Sequence, residues 1–204
     1  LRLVGSEMCI RDRTHSKQVY GGYLCAFVPV CFGWAFLLGG SMKVGIIMGS
    51  KSDLDTMKKA SAVLDEFNIP YEMVIASAHR TPEAVKNFVT RLEDEGAIAF
   101  IAGAGAAAHL PGVVASFTTL PVIGIPLNAT ALKGIDSLLA IVQMPSGMPV
   151  ATMAVDGAKN AALFAVQIGA AFNKDLKEQY QQYRKDMAEK VLADNAELQG
   201  AIHI

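Results

Sequence analysis

From Lys43 onward the chain alternates between two kinds of segment, and that alternation limits the folds open to it more than any other feature. One kind is short and mostly apolar: KVGIIM (43–48), YEMVIA (71–76), AIAFIA (97–102), PVIGIP (121–126) and VATMAV (150–155). Such runs, closed by glycine, proline or polar clusters, suit strands buried on both faces. The other kind is longer and spaces its apolar residues three or four apart. Leu54, Met57, Ser61, Leu64 and Phe67 share one helical face, with Ser52 or Asp53 able to cap the start. Thr81-Pro82-Glu83 opens a second helix, threonine at the cap and proline in the first turn, and Val85, Phe88, Val89 and Leu92 form its stripe before Gly96. Pro111 opens a short helix over 111–117, and Ile135 to Val142 form another. Residues 157–172 make an alanine-rich helix with little charge, expected to be buried on more than one side. A polar helix over 173–194 follows, with the stripe Leu176, Tyr180, Tyr183, Met187 and Val191.

Strand and helix in alternation, with buried strands, mean a parallel sheet covered on both faces and right-handed crossovers. The expected fold class is α/β: a three-layer αβα sandwich with a doubly wound, parallel, five-stranded flavodoxin-like sheet and an extra C-terminal helix. No repeat or linker divides residues 42–204, which read as a single domain. The formal net charge of −1, with 18% charged residues, gives no basic surface for nucleic acid.

Residues 1–41 read differently. Arg2, Arg11, Arg13 and Lys17 precede an uncharged stretch whose centre is YLCAFVPVCFGWAFLL. A basic start before an apolar run has the form of a secretory signal or a membrane anchor. The other reading is an artefactual or mis-called start: VGSEMCIRDR resembles translated non-coding or sequencing-derived sequence, and Met42-Lys43-Val44 reads as a natural beginning. The three cysteines, Cys9, Cys25 and Cys31, all lie in this leader, at a number and spacing that make neither a disulfide framework nor a zinc site.

In sheets of this kind ligands bind beyond the carboxyl ends of the strands, near the point where strand order reverses. Three unusual stretches are expected there. The first is Gly49-Ser50-Lys51-Ser52-Asp53. Its hydroxyls and the free amides of a helix start suit a phosphate, and Asp53 suits sugar hydroxyls, which can donate to a carboxylate. Together they suggest a phosphoribosyl group. The spacing is not that of a Walker A loop, so ATP is not implied, nor is it G-x-G-x-x-G, so a nicotinamide cofactor is not indicated. The plainer reading of Ser and Asp here is a helix cap.

The second stretch is Ser77-Ala78-His79-Arg80-Thr81-Pro82. Arg80 at a strand end is placed for a phosphate, and His79 is of the residue type that exchanges protons near neutral pH. The third is Ala102-Gly103-Ala104-Gly105-Ala106-Ala107-Ala108-His109-Leu110-Pro111-Gly112. Its small residues allow backbone contact with a planar ring or a carboxylate, or else close helix–sheet packing. His109 is either a second acid/base or a structural hydrogen-bond partner.

At MGSKSD (48–53), SAHRTP (77–82), AGAGAAAHLPG (102–112) and DSLLAIVQMPSGMPVAT (136–152) the sequence resembles the class I N5-carboxyaminoimidazole ribonucleotide mutases, the catalytic-subunit type of bacterial phosphoribosylaminoimidazole carboxylase. The four motifs occur in order, and the resemblance runs from about Lys43 to the last helix. That family normally has glycine where Ala106 stands, so one methyl is added beside the substrate loop. The resemblance implies that Ser50 and Arg80 hold phosphate and Asp53 the ribose hydroxyls. Ser77, Ala78, Ala104 and Gly105 would line the ring and carboxylate site, with Gly49, Ser52, His109 and Leu110 completing the binding residues. It implies His79 as general acid/base: protonation assists loss of carbon dioxide from the N-carboxylate, ring carbon C4 attacks the trapped carbon dioxide, and His79 removes the C4 proton. No cofactor, metal, biotin or ATP is called for. The family pattern also implies a cytoplasmic homo-octamer, and the stripe on the final helix independently asks for a covering surface. Two other functions stay open: a class II carboxylase using carbon dioxide directly, and a non-catalytic phosphoribonucleotide-binding module.

Overall fold

The computed structural model describes residues 42–202; the leader, with its signal-or-artefact reading, lies outside the described residues. The expected alternation is present. Strand β1 (Lys43–Met48) leads through one 3-10 turn (Lys51–Asp53) into helix α1 (Leu54–Glu66). Then follow β2 (Tyr71–Ile75), α2 (Pro82–Asp94), β3 (Ala97–Gly105), α3 (Leu110–Ala115), β4 (Val122–Leu127), α4 (Ile135–Val142), β5 (Ala151–Thr152), α5 (Ala158–Ala170) and α6 (Lys174–Ile202). All pairings are parallel, in the order β2-β1-β3-β4-β5. Order reverses at β1, so the carboxyl ends of β1, β2 and β3 stand side by side.

Each face of the sheet is sealed by its own apolar layer. On one side Val44, Ile46, Ile101, Ile123 and Ile125 pack with Met57 and Leu64 of α1 and with Ala161, Ala162 and Ala165 of α5. On the other, Ile47, Phe100 and Val122 meet Val85, Val89 and Leu92 of α2, Val114 of α3 and Ile141 of α4. A fully buried Ile or Leu contributes about 1.5–3 kcal/mol, so these layers, not surface polar pairs, hold the sheet. Alanines on α5 let it sit close to both α1 and β3, which explains its low charge.

Three boundaries differ from expectation by three residues or more. β3 runs on to Gly105, because Ala102 to Gly105 pair with Gly124 to Leu127 of β4. β5 is reduced to two residues: after Thr152 the regular ladder stops, although the Asp156 amide still donates to the Pro126 carbonyl at 2.9 Å, and Asp156 takes a left-handed φ of 56°. The last helix continues past residue 194 to Ile202. Its start is fixed by Asn173, whose side chain accepts from the Leu176 amide at 2.9 Å. Its apolar stripe divides in two. Leu176 is 4% exposed, and Tyr180 and Tyr183 pack on Phe67, but Val191 is 67% exposed.

Candidate active site

The three expected stretches meet at the carboxyl edge of β2-β1-β3. The first loop leaves β1 at Gly49. Ser50 caps the 3-10 turn, its hydroxyl accepting from the Ser52 amide at 3.3 Å, and the Ser52 hydroxyl lies 3.0 Å from it. Asp53 occupies the cap position of α1 but makes no capping hydrogen bond. Its Oδ1 instead accepts from the Ser52 hydroxyl at 3.2 Å. Burial pushes the Asp53 carboxyl above its ordinary value, against the opposing pull of Ser52, the Ser50 backbone and the Arg80 charge. Such a carboxylate gains from further donors, as a cap already satisfied by amides would not. Gly49 needs no left-handed backbone; the space above its Cα is open apart from the Asp53 carboxylate, 4.0 Å from where a methyl would sit.

The second loop leaves β2 and carries His79 and Arg80, both exposed. Arg80 reaches across strands: its Nη2 donates to the Gly49 carbonyl at 3.0 Å, while Nε and the backbone amide both donate to the Ser77 hydroxyl at 3.3 Å. These bonds fix the guanidinium beside the hydroxyls of the first loop. Thr81 is not the capping side chain its sequence suggests; α2 begins with Pro82 and without a side-chain cap. The Thr81 hydroxyl turns back to Ser77. The one sequence signal for this was the Ser-x-x-x-Thr spacing ahead of proline.

The third loop grows directly out of β3. Ala102 and Ala104 are buried, and a methyl on Gly103 would lie 2.4 Å from Met57 Sδ, so close packing accounts for the small residues up to that point. From Gly105 the chain turns through Ala106 (φ 53°) and Ala108 (φ 46°), with the Ala108 amide donating to the Gly105 carbonyl at 3.1 Å. Left-handed alanines cost roughly 1–2 kcal/mol each. Gly105 packs against Ala129 beyond β4, where a side chain would clash at 2.4 Å, so a fourth loop abuts this one. Leu110 turns its side chain into the core and can offer a ligand only its backbone; the buried Ala104 is likewise part of the floor.

The turn ends at His109, whose Nδ1 lies 2.7 Å from His79 Nε2, with the rings nearly edge-on at 71°. Only one of those nitrogens can carry the shared hydrogen. The chain thus joins an arginine, a cluster of hydroxyls, a desolvated carboxylate and an imidazole pair on one edge. That set can hold a phosphorylated sugar and move a proton at a neighbouring ring. A separate cavity of about 880 Å³ lies at the amino end of β4, lined by Phe117, Pro121, Met148, Phe164 and Ile168 among others; none of the expected site residues borders it.

Known proteins with similar sequences and folds identify the family. The sequence model of the AIR carboxylase family matches residues 43–190. The N5-carboxyaminoimidazole ribonucleotide mutase of Pyrococcus horikoshii is 57% identical over 148 residues, covering 72% of this chain and 84% of that protein. The Bacillus subtilis mutase is 51% identical over 157 residues, covering 76% and 97%. The crystal structure of Treponema denticola PurE superposes with a TM-score of 0.71 at 32% identity, covering 76% of this chain and 98% of that one. With a family match across most of its length and relatives this similar, the chain belongs to the AIR carboxylase family.

Proposed function

We propose that this chain isomerises N5-carboxyaminoimidazole ribonucleotide to 4-carboxy-5-aminoimidazole ribonucleotide in purine (IMP) biosynthesis. The observation that carries the reading is the bridging of the three loops, Arg80 to Gly49 on one side and His79 to His109 on the other. Ser50 and Arg80 hold the phosphate, Asp53 the ribose hydroxyls, and Ser77, Ala78 and the edge of β3 at Ala104 and Gly105 bracket the ring and its carboxylate. Gly49 and Ser52 shape the phosphate end, and His109 and the Leu110 backbone close the other. His79 gives a proton to the exocyclic nitrogen as the carbamate C–N bond breaks. C4 of the electron-rich ring then forms its bond to the released carbon dioxide, and the C4 proton returns to His79. The proton account closes on one residue, so the protein's work is positioning and exclusion of water.

The test is an ATP-free assay of the N5-carboxy ribonucleotide for its C4 isomer. Rapid conversion supports the reading, and no conversion at millimolar substrate removes it. Direct carboxylation is separated by supplying aminoimidazole ribonucleotide at low bicarbonate.

The same reading makes the protein a cytoplasmic homo-octamer built on residues 42–204. Among the described residues no helix is long and apolar enough to cross a membrane. Two apolar faces support assembly: Ile135, Leu139 and Val142 on α4, and Met187, Val191, Leu198 and Ile202 on α6, all exposed. Those helices belong to opposite faces of the sheet, so each copy offers two separate surfaces. A monomer in light scattering would contradict this, and loss of activity on removing residues 1–41 would contradict the domain limit.

A further inference from the structure

The loop that carries His79 and Arg80 is closed by a residue outside the set just described. The Thr81 hydroxyl accepts from the Ser77 amide at 2.9 Å and faces the Ser77 carbonyl at 3.3 Å, to which it can donate. The Thr81 amide donates to that same carbonyl at 2.9 Å. Both backbone groups of Ser77 are therefore engaged by one residue four positions on. A helix cap would instead have bonded forward into α2, and no such bond exists. The Ser77 hydroxyl in turn accepts from the Arg80 amide and Nε, and Arg80 Nη2 donates to Gly49. The order of dependence is Thr81, Ser77, Arg80, first loop. His79 stands at the apex of the five-residue span that Thr81 closes.

We propose that Thr81 is a positioning residue: its side chain clasps residues 77–81 so that the guanidinium and the imidazole are held in working register. This rests on the reading of the site as a ribonucleotide mutase. The clasp lies on the surface, where water can take up the freed amide. Its loss therefore costs little stability, while errors in placement of a few tenths of an ångström are felt in the chemistry.

The test compares Thr81→Val, which keeps the shape and loses the hydroxyl, with Thr81→Ser, which keeps the hydroxyl and loses the methyl. Thr81→Val should lower kcat/KM by about tenfold, KM rising through Arg80 and kcat falling through His79, with Tm lowered by about 3 °C or less. Thr81→Ser should rescue kcat/KM to within about threefold of the parent. A purely structural role would move Tm and leave KM and kcat alone. Amide hydrogen exchange at Ser77 supplies a readout free of activity: faster in Thr81→Val, protected in Thr81→Ser. Unchanged kinetics in Thr81→Val, equal losses in both variants, or unaltered Ser77 exchange would each overturn the clasp. An inactive parent protein would instead count against the mutase reading, with the exchange experiment still deciding the clasp.

Discussion

The two ends of the sheet carry similar residue types in opposite arrangements. At the amino end, Lys43 pairs with Glu95 at 2.6 Å, and Arg91 bridges Glu95 at 2.9 Å and Glu72. These four charges are mated to one another. Arg91 holds the Glu72 carboxyl below its ordinary value, and Lys43 with Arg91 does the same for Glu95. At the carboxyl end, Asp53, His79, Arg80 and His109 bond to hydroxyls, a carbonyl or one another, and none forms an ion pair with an oppositely charged side chain among the described residues. Charges matched within the chain serve the fold. Charges held in place but left unmatched are set for something that is not the chain.

That contrast can be broken most severely at the apex of the second loop. His79→Asn is expected to lower kcat by about 10³-fold or more. Ribonucleotide binding by calorimetry should hold within about threefold, because no binding charge is lost. Arg80→Met comes next. Charge-assisted bonds to phosphate are worth about 1.5–3 kcal/mol, so KM should rise roughly 10- to 100-fold with a smaller change in kcat; an unchanged KM in steady-state kinetics would show that the guanidinium faces no phosphate.

Asp53→Asn should raise KM about tenfold by weakening the ribose contact. It should also leave the fold as stable or more so. Burial raises the folded-state pKa of Asp53, so the folded chain keeps its proton after the unfolded chain has lost it. Stability therefore falls as pH rises from the unfolded value through the folded one. Denaturant titrations across that window should show the slope in the parent and its loss in the variant. The smallest effect belongs to the amino end: Arg91→Gln should leave kcat and KM alone and lower stability slightly, less so in high salt. Glu72 and Glu95 are depressed, so their contribution is present above the ordinary carboxylate range and fades as pH falls through their lowered values. A kinetic defect in Arg91→Gln would erase the distinction between the two ends.

Strands β1 and β4 were plain in the sequence because a continuous apolar run between turn residues has few other uses in a chain this rich in helix signals. The end of β3 was not, because alanine and glycine carry no periodicity and a strand made of them looks like a loop. VATMAV had strand composition, yet pairing with β4 lasts only from Ala151 to Thr152. The last helix overran its expected end by taking Asn195 and Gly200, residue types that commonly end helices, into its run. At the site, residue types and loop order were legible. The left-handed backbone at Ala106 and Ala108 was not, since alanine does not advertise it, and the hydroxyl of Thr81 was hidden behind the common Thr-Pro helix start.

Helix α1 meets the candidate site at two points: it begins immediately after Asp53, and one turn in, Met57 lies against Gly103 beneath the third loop. One helix thus ties the Asp53 carboxylate to the strand end beneath the third loop. Retuning the packing of that helix against the sheet would therefore shift both contacts together.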